Sequence, residues 1–201
     1  MNLANKLTIF RIILVPIMVL IPYLGIDTYI MGIPLTWIIV AIIFLIAAIT
    51  DKLDGYIARS RNQITNFGKF LDPIADKILV LAAMIMLVES NNRLPAWIPI
   101  IVLFREFVVS GYRLIAVEQG GKVIAASIWG KLKTVTQMSA LVLALIDMHP
   151  YATCLMNKAL LTPGEFTLNA IASLLMTISV IATIFSGWDY IKGGKELLKN
   201  K

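Results

Sequence analysis

The sequence predicts an all-α integral membrane protein with a single domain, residues 1–201, and six transmembrane helices. Apolar residues make up 59% of the 201 residues and charged residues only 15%, whereas soluble domains average ~45–50% and ~25%. The apolar residues are grouped in six long runs separated by turn-forming and charged residues. At roughly 20 residues per spanning helix, the length allows about six spans and leaves no room for a second domain.

The six runs give the elements in chain order, and each is long enough to cross most of a bilayer. The predicted spans are Leu7–Leu24, Leu35–Ile57, Phe70–Val88, Ala96–Val117, Ile128–Ile146 and Phe166–Ile191. The first run carries Arg11 and lacks a small-residue cleavage site, so we interpret it as a helix and not as a signal peptide.

The distribution of basic residues predicts the orientation. Six spans place 16 of the 18 Lys and Arg residues on the side of the N-terminus and leave only Arg93 and Lys158 on the other side. Cytoplasmic loops carry such an excess, which predicts a multi-pass protein of the cell membrane with both termini cytoplasmic. The net charge of +6 then indicates anionic lipid as the partner and not nucleic acid.

Four aspartates lie near the cytoplasmic ends of the second and third helices. Asp51 and Asp54 are three residues apart, Asp72 and Asp76 are four apart, and each pair shares a helix face. The short loop makes the two helices antiparallel neighbours, so the four carboxylates converge. Oxygen ligands suit Mg²⁺ or Mn²⁺, and two such cations serve displacement at phosphorus. We therefore expect a polar metal-binding cavity that faces the cytoplasm. The alternative is ion pairing with Lys52, Lys77 or Arg59.

Four cations on the fourth and fifth helices, Arg105, Arg113, Lys131 and Lys133, belong to the same cytoplasmic end. They place positive charge around the metal cavity. The alternative is that they are ordinary basic residues that snorkel to the membrane interface.

The aspartates belong to a longer pattern, D-x2-D-G-x2-A-R-x8-G-x3-D-x3-D, over residues 51–76. It is similar at every fixed position to the signature of the CDP-alcohol phosphatidyltransferases, and the six helices fit a minimal member over the whole chain. The resemblance implies transfer of a phosphatidyl group from a CDP-linked lipid to an alcohol, with release of CMP. By position, the two metals would be held by Asp51, Asp54, Asp72 and Asp76, and Asp76 would also be the base.

The resemblance also implies contacts to the CDP-lipid. Gly55 and Ala58 would lie against the cytidine, and Arg59 and Gly68 would support the nucleotide and diphosphate. The start N-x-L-T-x2-R, with Asn5 and Thr8, resembles the branch of the family whose acceptor is glycerol 3-phosphate, and we assign both residues to the CDP-lipid site. Helix capping before the first span is the alternative for these two residues.

The resemblance implies CDP-diacylglycerol as the donor, glycerol 3-phosphate as the acceptor and a homodimer. The apolar composition predicts that membrane lipids surround the chain. Arg105, Arg113 and Lys131, with Lys133, are the residues that we expect to bind the acceptor's phosphate. An inositol phosphate or phosphatidylglycerol acceptor is the alternative within the family. Outside it, the acids could serve a transporter of divalent cations or protons, or the chain could be a non-catalytic scaffold. A transporter needs polar groups through the membrane depth and a repeat, and the sequence shows neither.

Overall fold

Each of the six predicted runs overlaps a long helix in the structure, a computed structural model that describes residues 3–60, 66–118 and 127–199. The long helices are α1 (Leu3–Leu20), α2 (Leu35–Ser60), α3 (Asn66–Glu89), α4 (Trp97–Glu118), α5 (Ile128–Ile146) and α7 (Pro163–Lys199), and the short helix α6 (Thr153–Met156) precedes the last of them. The prediction of an all-α protein is confirmed.

A short hairpin between α1 and α2 was not predicted. Strands β1 (Tyr29–Ile30) and β2 (Ile33–Pro34) pair antiparallel. The two turn residues, Met31 and Gly32, have φ values of 52° and 83°. Positive φ values at both positions allow a two-residue turn to match the twist of the strands that it joins. Methionine is uncommon in this left-handed region, so the residues of this turn gave no hairpin signal.

The last helix begins three residues earlier than predicted because its first turn is capped. Thr162 Oγ1 accepts a hydrogen bond from Glu165 N at 3.4 Å, and Glu165 Oε2 accepts one from Thr162 N at 2.9 Å. This reciprocal arrangement is a capping box, and Pro163 occupies the first helical position, where its missing N–H costs nothing.

One compact unit comprises Met1–Arg93 and Leu141–Pro150. Within it, α1 packs against both α2 and α3, and α2 packs against α3. Its core mixes large side chains with alanines, which let helix backbones approach closely. Among the core residues are Val15, Met18, Val40, Phe44, Ala47, Ala75, Leu79, Ala83, Met84 and Leu87.

The second compact unit comprises Leu94–Ala140 and Tyr151–Lys201. Within it, α7 packs against α4 and α6, and the ring of Trp129 in α5 stacks on that of Phe185 in α7, with centroids 4.9 Å apart. Its core contains several small and polar residues, which include Ala116, Ala172, Ser179, Ala182, Thr183 and Ser186.

The outer faces of the helices are apolar. In α1, the exposed residues Phe10, Ile13, Ile17 and Leu20 follow helical spacing, and exposed Ile, Leu, Phe and Trp side chains also occur on α2, α4 and α7. Exposed side chains that are largely apolar, together with buried positions that include polar residues, suit a protein in contact with lipid. Within the described residues, two segments are long and apolar enough to cross a membrane, Asn5–Leu24 and Pro163–Gly193.

Candidate functional site

A polar stripe runs along the buried face of α1. Asn5, Thr8 and Arg11 are three residues apart, so they share one face of the helix, and they are 7%, 1% and 0% exposed. Val15 continues the same face with an apolar side chain. Since the described part of α1 starts at Leu3, Asn5 and Thr8 lie inside the helix. The capping alternative for these two residues is therefore wrong.

The stripe ends at an ion pair between α1 and α2. Arg11 Nη1 lies 2.6 Å from Asp51 Oδ1, and the Asp51 side chain remains 38% exposed. A residue of α1 is thus a partner of this aspartate. Lys52 and Arg59, which the ion-pairing alternative also named, have side chains outside the described residues. The sequence placed Arg11 on the cytoplasmic side and at the end of the N-x-L-T-x2-R start, but we did not predict it as a site residue. The three-residue spacing from Asn5 through Thr8 to Arg11 was the signal that could have placed it in the site.

Asp76 lies on an exposed position of α3, next to Ala75, which is buried, as is Leu79 one turn later. The structure therefore describes one carboxylate of the motif on each of the two helices that carry it. The side chains of the other predicted residues in this motif lie outside the described residues: Asp54, Gly55, Ala58, Arg59, Gly68 and Asp72. Within the described residues, no three His, Cys, Asp or Glu side chains form a group that could hold a metal ion.

Two of the four predicted acceptor-binding cations share one carboxylate. Glu106 Oε1 accepts hydrogen bonds from Arg105 Nη1 at 2.8 Å and from Lys133 Nζ at 2.6 Å. Lys133 is only 8% exposed, so this contact fixes α5 to α4 through buried charges. The three groups carry a net charge of about +1 together, and both cations are held in defined positions.

Helix α7 contributes two residues to the cationic cluster that sequence reasoning missed. Arg105 Nη2 donates to Ser186 Oγ at 2.5 Å, and Arg113 Nη2 donates to the hydroxyl of Tyr190 at 2.9 Å. Ser186 and Tyr190 lie inside an apolar run and are 81 and 77 residues from their partners. Periodicity assigns residues to a face of their own helix, but it does not show which distant helix that face contacts.

A glycine of α5 lies next to this cluster. Gly130 N donates to Ser127 Oγ at 3.3 Å, which caps the start of the helix. A Cβ atom at Gly130 would lie 3.5 Å from both Arg105 Nη2 and Ser186 Oγ. The next residue, Lys131, is exposed, as is Arg113. The cluster thus consists of two exposed cations and two cations held by Glu106.

Comparisons with known proteins agree with the motif. Residues 1–185 match the family model of the CDP-alcohol phosphatidyltransferases. Relatives named CDP-diacylglycerol–glycerol-3-phosphate 3-phosphatidyltransferase include proteins of Bacillus subtilis, 40% identical over 98% of this chain and 97% of the relative, and of Haemophilus influenzae, 39% identical over 99% and 97%. A third, from Rickettsia typhi, is 36% identical over 96% and 97%. The chain belongs to the CDP-alcohol phosphatidyltransferase family.

Proposed function

We propose that the protein transfers the phosphatidyl group of CDP-diacylglycerol to glycerol 3-phosphate and releases phosphatidylglycerophosphate and CMP. It would thus be a phosphatidylglycerophosphate synthase of phospholipid biosynthesis. The observation that carries this proposal is similarity over at least 96% of the chain to three relatives that bear the name of this reaction. The cationic cluster on α4 and α5 supports an acceptor that carries a phosphate.

We further propose six membrane spans, with both termini and the active site on the cytoplasmic side of the cell membrane. The apolar outer faces of the long helices support the membrane placement. The excess of basic residues on one side supports the orientation. Residues 1–201 would then form one enzyme domain with a polar cavity at the cytoplasmic ends of the helices.

The described residues of the motif carry the oxygen ligands that a hard divalent cation needs. The side chain of Asp51 is 38% exposed and Asp76 lies at an exposed position; carboxylate oxygens suit Mg²⁺ or Mn²⁺ as ligands. We infer that Asp51, Asp54, Asp72 and Asp76 hold two such ions. Bound there, two divalent cations would neutralise the diphosphate of the donor and the charge on the departing phosphate.

The residues of the chain would then perform a single displacement. Asp76 takes the proton of the primary hydroxyl of glycerol 3-phosphate, and this oxygen bonds to the phosphorus that carries diacylglycerol. The bond between that phosphorus and the oxygen shared with the CMP phosphate breaks, and CMP leaves with the electron pair. Arg11 fixes one carboxylate oxygen of Asp51 through their ion pair.

We infer that the CDP-lipid is held by residues of α1, α2 and α3. Asn5 and Thr8 contribute from the buried polar stripe of α1. Gly55 and Ala58 leave room for the cytidine, and Arg59 and Gly68 support the diphosphate.

We infer that the acceptor's phosphate is bound by Arg105, Arg113, Lys131 and Lys133. Arg113 and Lys131 are the exposed members, so they would reach the phosphate first. Arg105 and Lys133 are held on Glu106 and would supply a fixed positive field. Two copies of the chain are expected to form a homodimer in the membrane.

A panel of acceptors tests the proposal. Purified protein would be given CDP-diacylglycerol and Mg²⁺ or Mn²⁺ with glycerol 3-phosphate, inositol 3-phosphate, phosphatidylglycerol, serine or no acceptor, and CMP would be measured. We expect release with glycerol 3-phosphate only, and its loss in Asp76→Asn. Release with another acceptor would contradict the assigned substrate, and no metal-dependent release from folded protein would contradict the enzyme assignment.

A further inference from the structure

Tyr190 of α7 contacts two of the arginines that we assign to the acceptor. The guanidinium carbons of Arg105 and Arg113 lie 5.8 Å and 5.6 Å from the centroid of its ring. Both distances are within the range of a cation–π interaction. The hydroxyl of the same residue accepts the hydrogen bond from Arg113. One aromatic side chain therefore contacts both guanidinium groups.

The backbone of α4 alone would not bring these arginines together. They are eight residues apart, which corresponds to a rise of about 12 Å along the helix. Long arginine side chains also have many rotamers, and fixing them costs conformational entropy. Tyr190 is 1% exposed, so its own position is fixed by the core of the unit. A rigid buried ring can thus fix the positions of two flexible cations.

We propose that Tyr190 is a positioning residue for the phosphate of the acceptor, an inference that rests on the proposed function. It holds Arg105 and Arg113 so that both guanidinium groups face one phosphate dianion. Tyr190 is too buried to contact the acceptor, so it acts through the arginines. Arg113 is the member that depends on it most, because it receives both the ring contact and the hydrogen bond. Arg105 has Glu106 and Ser186 as additional partners.

The substitution Tyr190→Phe tests the hydrogen bond while it keeps the ring. Tyr151→Phe is the matched control, because Tyr151 also makes one side-chain hydrogen bond, to Thr177 of the same unit at 2.6 Å. We expect Tyr190→Phe to raise the KM for glycerol 3-phosphate about fivefold, the size of one typical hydrogen bond. The kcat and the KM for CDP-diacylglycerol should change less than about twofold, and Tyr151→Phe should alter none of the three.

A second comparison separates positioning from a general structural effect. If Tyr190 acts through Arg113, then Tyr190→Phe should have no further effect in an Arg113→Ala background, because the interacting pair is no longer present. The inference would be overturned if Tyr190→Phe had an equal effect in both backgrounds or left the KM for glycerol 3-phosphate unchanged. It would also be overturned if Tyr190→Phe raised the KM values for both substrates equally. If the wild-type protein used no glycerol 3-phosphate, the proposed function itself would fail. The wild-type measurement therefore distinguishes the two failures.

Discussion

Arg11 is fully buried in α1, and its Nη1 atom lies 2.6 Å from Oδ1 of Asp51 in α2. A buried guanidinium is costly unless it is paired, so the carboxylate stabilises the packing of the two helices. The pair also fixes one oxygen of an aspartate that we assign to the metal site, while 38% of that side chain remains exposed. The same aspartate is therefore expected to serve both stability and activity.

The first prediction concerns Asp51→Asn. This substitution removes the negative charge that faces Arg11, and we expect the free energy of unfolding to fall by about 1–3 kcal/mol. That is less than the roughly 3–5 kcal/mol of a fully buried pair, because solvent screens the exposed part of the carboxylate. Metal-dependent CMP release should fall by at least about a hundredfold, since an amide is a weaker ligand for a hard cation. Thermal unfolding and CMP release measure the two effects.

Asp27→Asn is the control, because Asp27 is exposed in the segment before the hairpin. It should leave both stability and CMP release unchanged. Normal activity in Asp51→Asn would contradict the metal assignment. Normal stability with lost activity would contradict the stabilising role of the pair with Arg11.

The second prediction concerns the exposed cation Lys131. We expect Lys131→Gln to raise the KM for glycerol 3-phosphate about tenfold, the size of one lost charge-assisted hydrogen bond, and to leave the KM for CDP-diacylglycerol unchanged. Lys158→Gln is the control, since Lys158 is also exposed but contacts the ring of Phe166, outside the cluster. A larger effect on the donor than on the acceptor would show that Lys131 belongs to a different subsite.

Arg93 stabilises the end of α5 in the first unit. Its Nη2 atom donates to the carbonyl oxygens of Ala144 and Leu145 at 2.5 Å and 3.0 Å, which the helix leaves without intrahelical partners. Its guanidinium stacks 4.3 Å from the ring centroid of Trp37. Burial lowers the pKa of Arg93 to about 10, against the opposing effect of Asp147. The side chain therefore remains cationic at neutral pH.

The third prediction is that Arg93→Met lowers the free energy of unfolding by about 1–3 kcal/mol, because two carbonyl groups lose their donor. Burial lowers the pKa of Arg93 in the folded protein below that of an exposed arginine. The free-energy cost of burying the cation is therefore constant below about pH 10. It is relieved only as the pH rises further. The difference between wild type and variant should thus be constant from about pH 6 to about pH 9. Thermal unfolding at several pH values tests this, with Lys158→Met as the exposed control.

The fourth prediction concerns the space beside Arg105. Gly130→Ala should be tolerated, because its Cβ atom would make only ordinary contacts at 3.5 Å. Gly130→Leu should displace the Arg105–Ser186 hydrogen bond and raise the KM for glycerol 3-phosphate about tenfold. Gly111→Leu is the matched control, since a Cβ atom at Gly111 meets nothing within 4 Å. Equal effects of the two leucine variants would contradict a local role of Gly130.

The helices were predictable because apolar runs bounded by turn residues specify them locally. α5 has the predicted bounds of Ile128 and Ile146, whereas α7 is extended by the capping box around Pro163. The hairpin at Met31 was not predictable, because its strands have only two residues each, which is too short for an alternating pattern. The turn brings the two strands together.

The site was predictable only as far as each helix carries its own pattern. The spacing of the aspartates and the basic residues of α4 and α5 are visible in the sequence. The contacts of Arg11 with Asp51 and of Arg113 with Tyr190 join separate helices. They depend on packing between segments that are distant in the chain. The hydrophobic periodicity of a single sequence does not show which distant segments pack together.

The most direct test of the account is the ratio of lipid product to nucleotide. Purified protein would be incubated with CDP-diacylglycerol, glycerol 3-phosphate and Mg²⁺ or Mn²⁺, and both products would be quantified by mass spectrometry. We predict phosphatidylglycerophosphate and CMP in equal amounts, with neither product after chelation or in Asp76→Asn. CMP without phosphatidylglycerophosphate, or full product formation by Asp76→Asn, would contradict the proposed phosphatidyl transfer and its base.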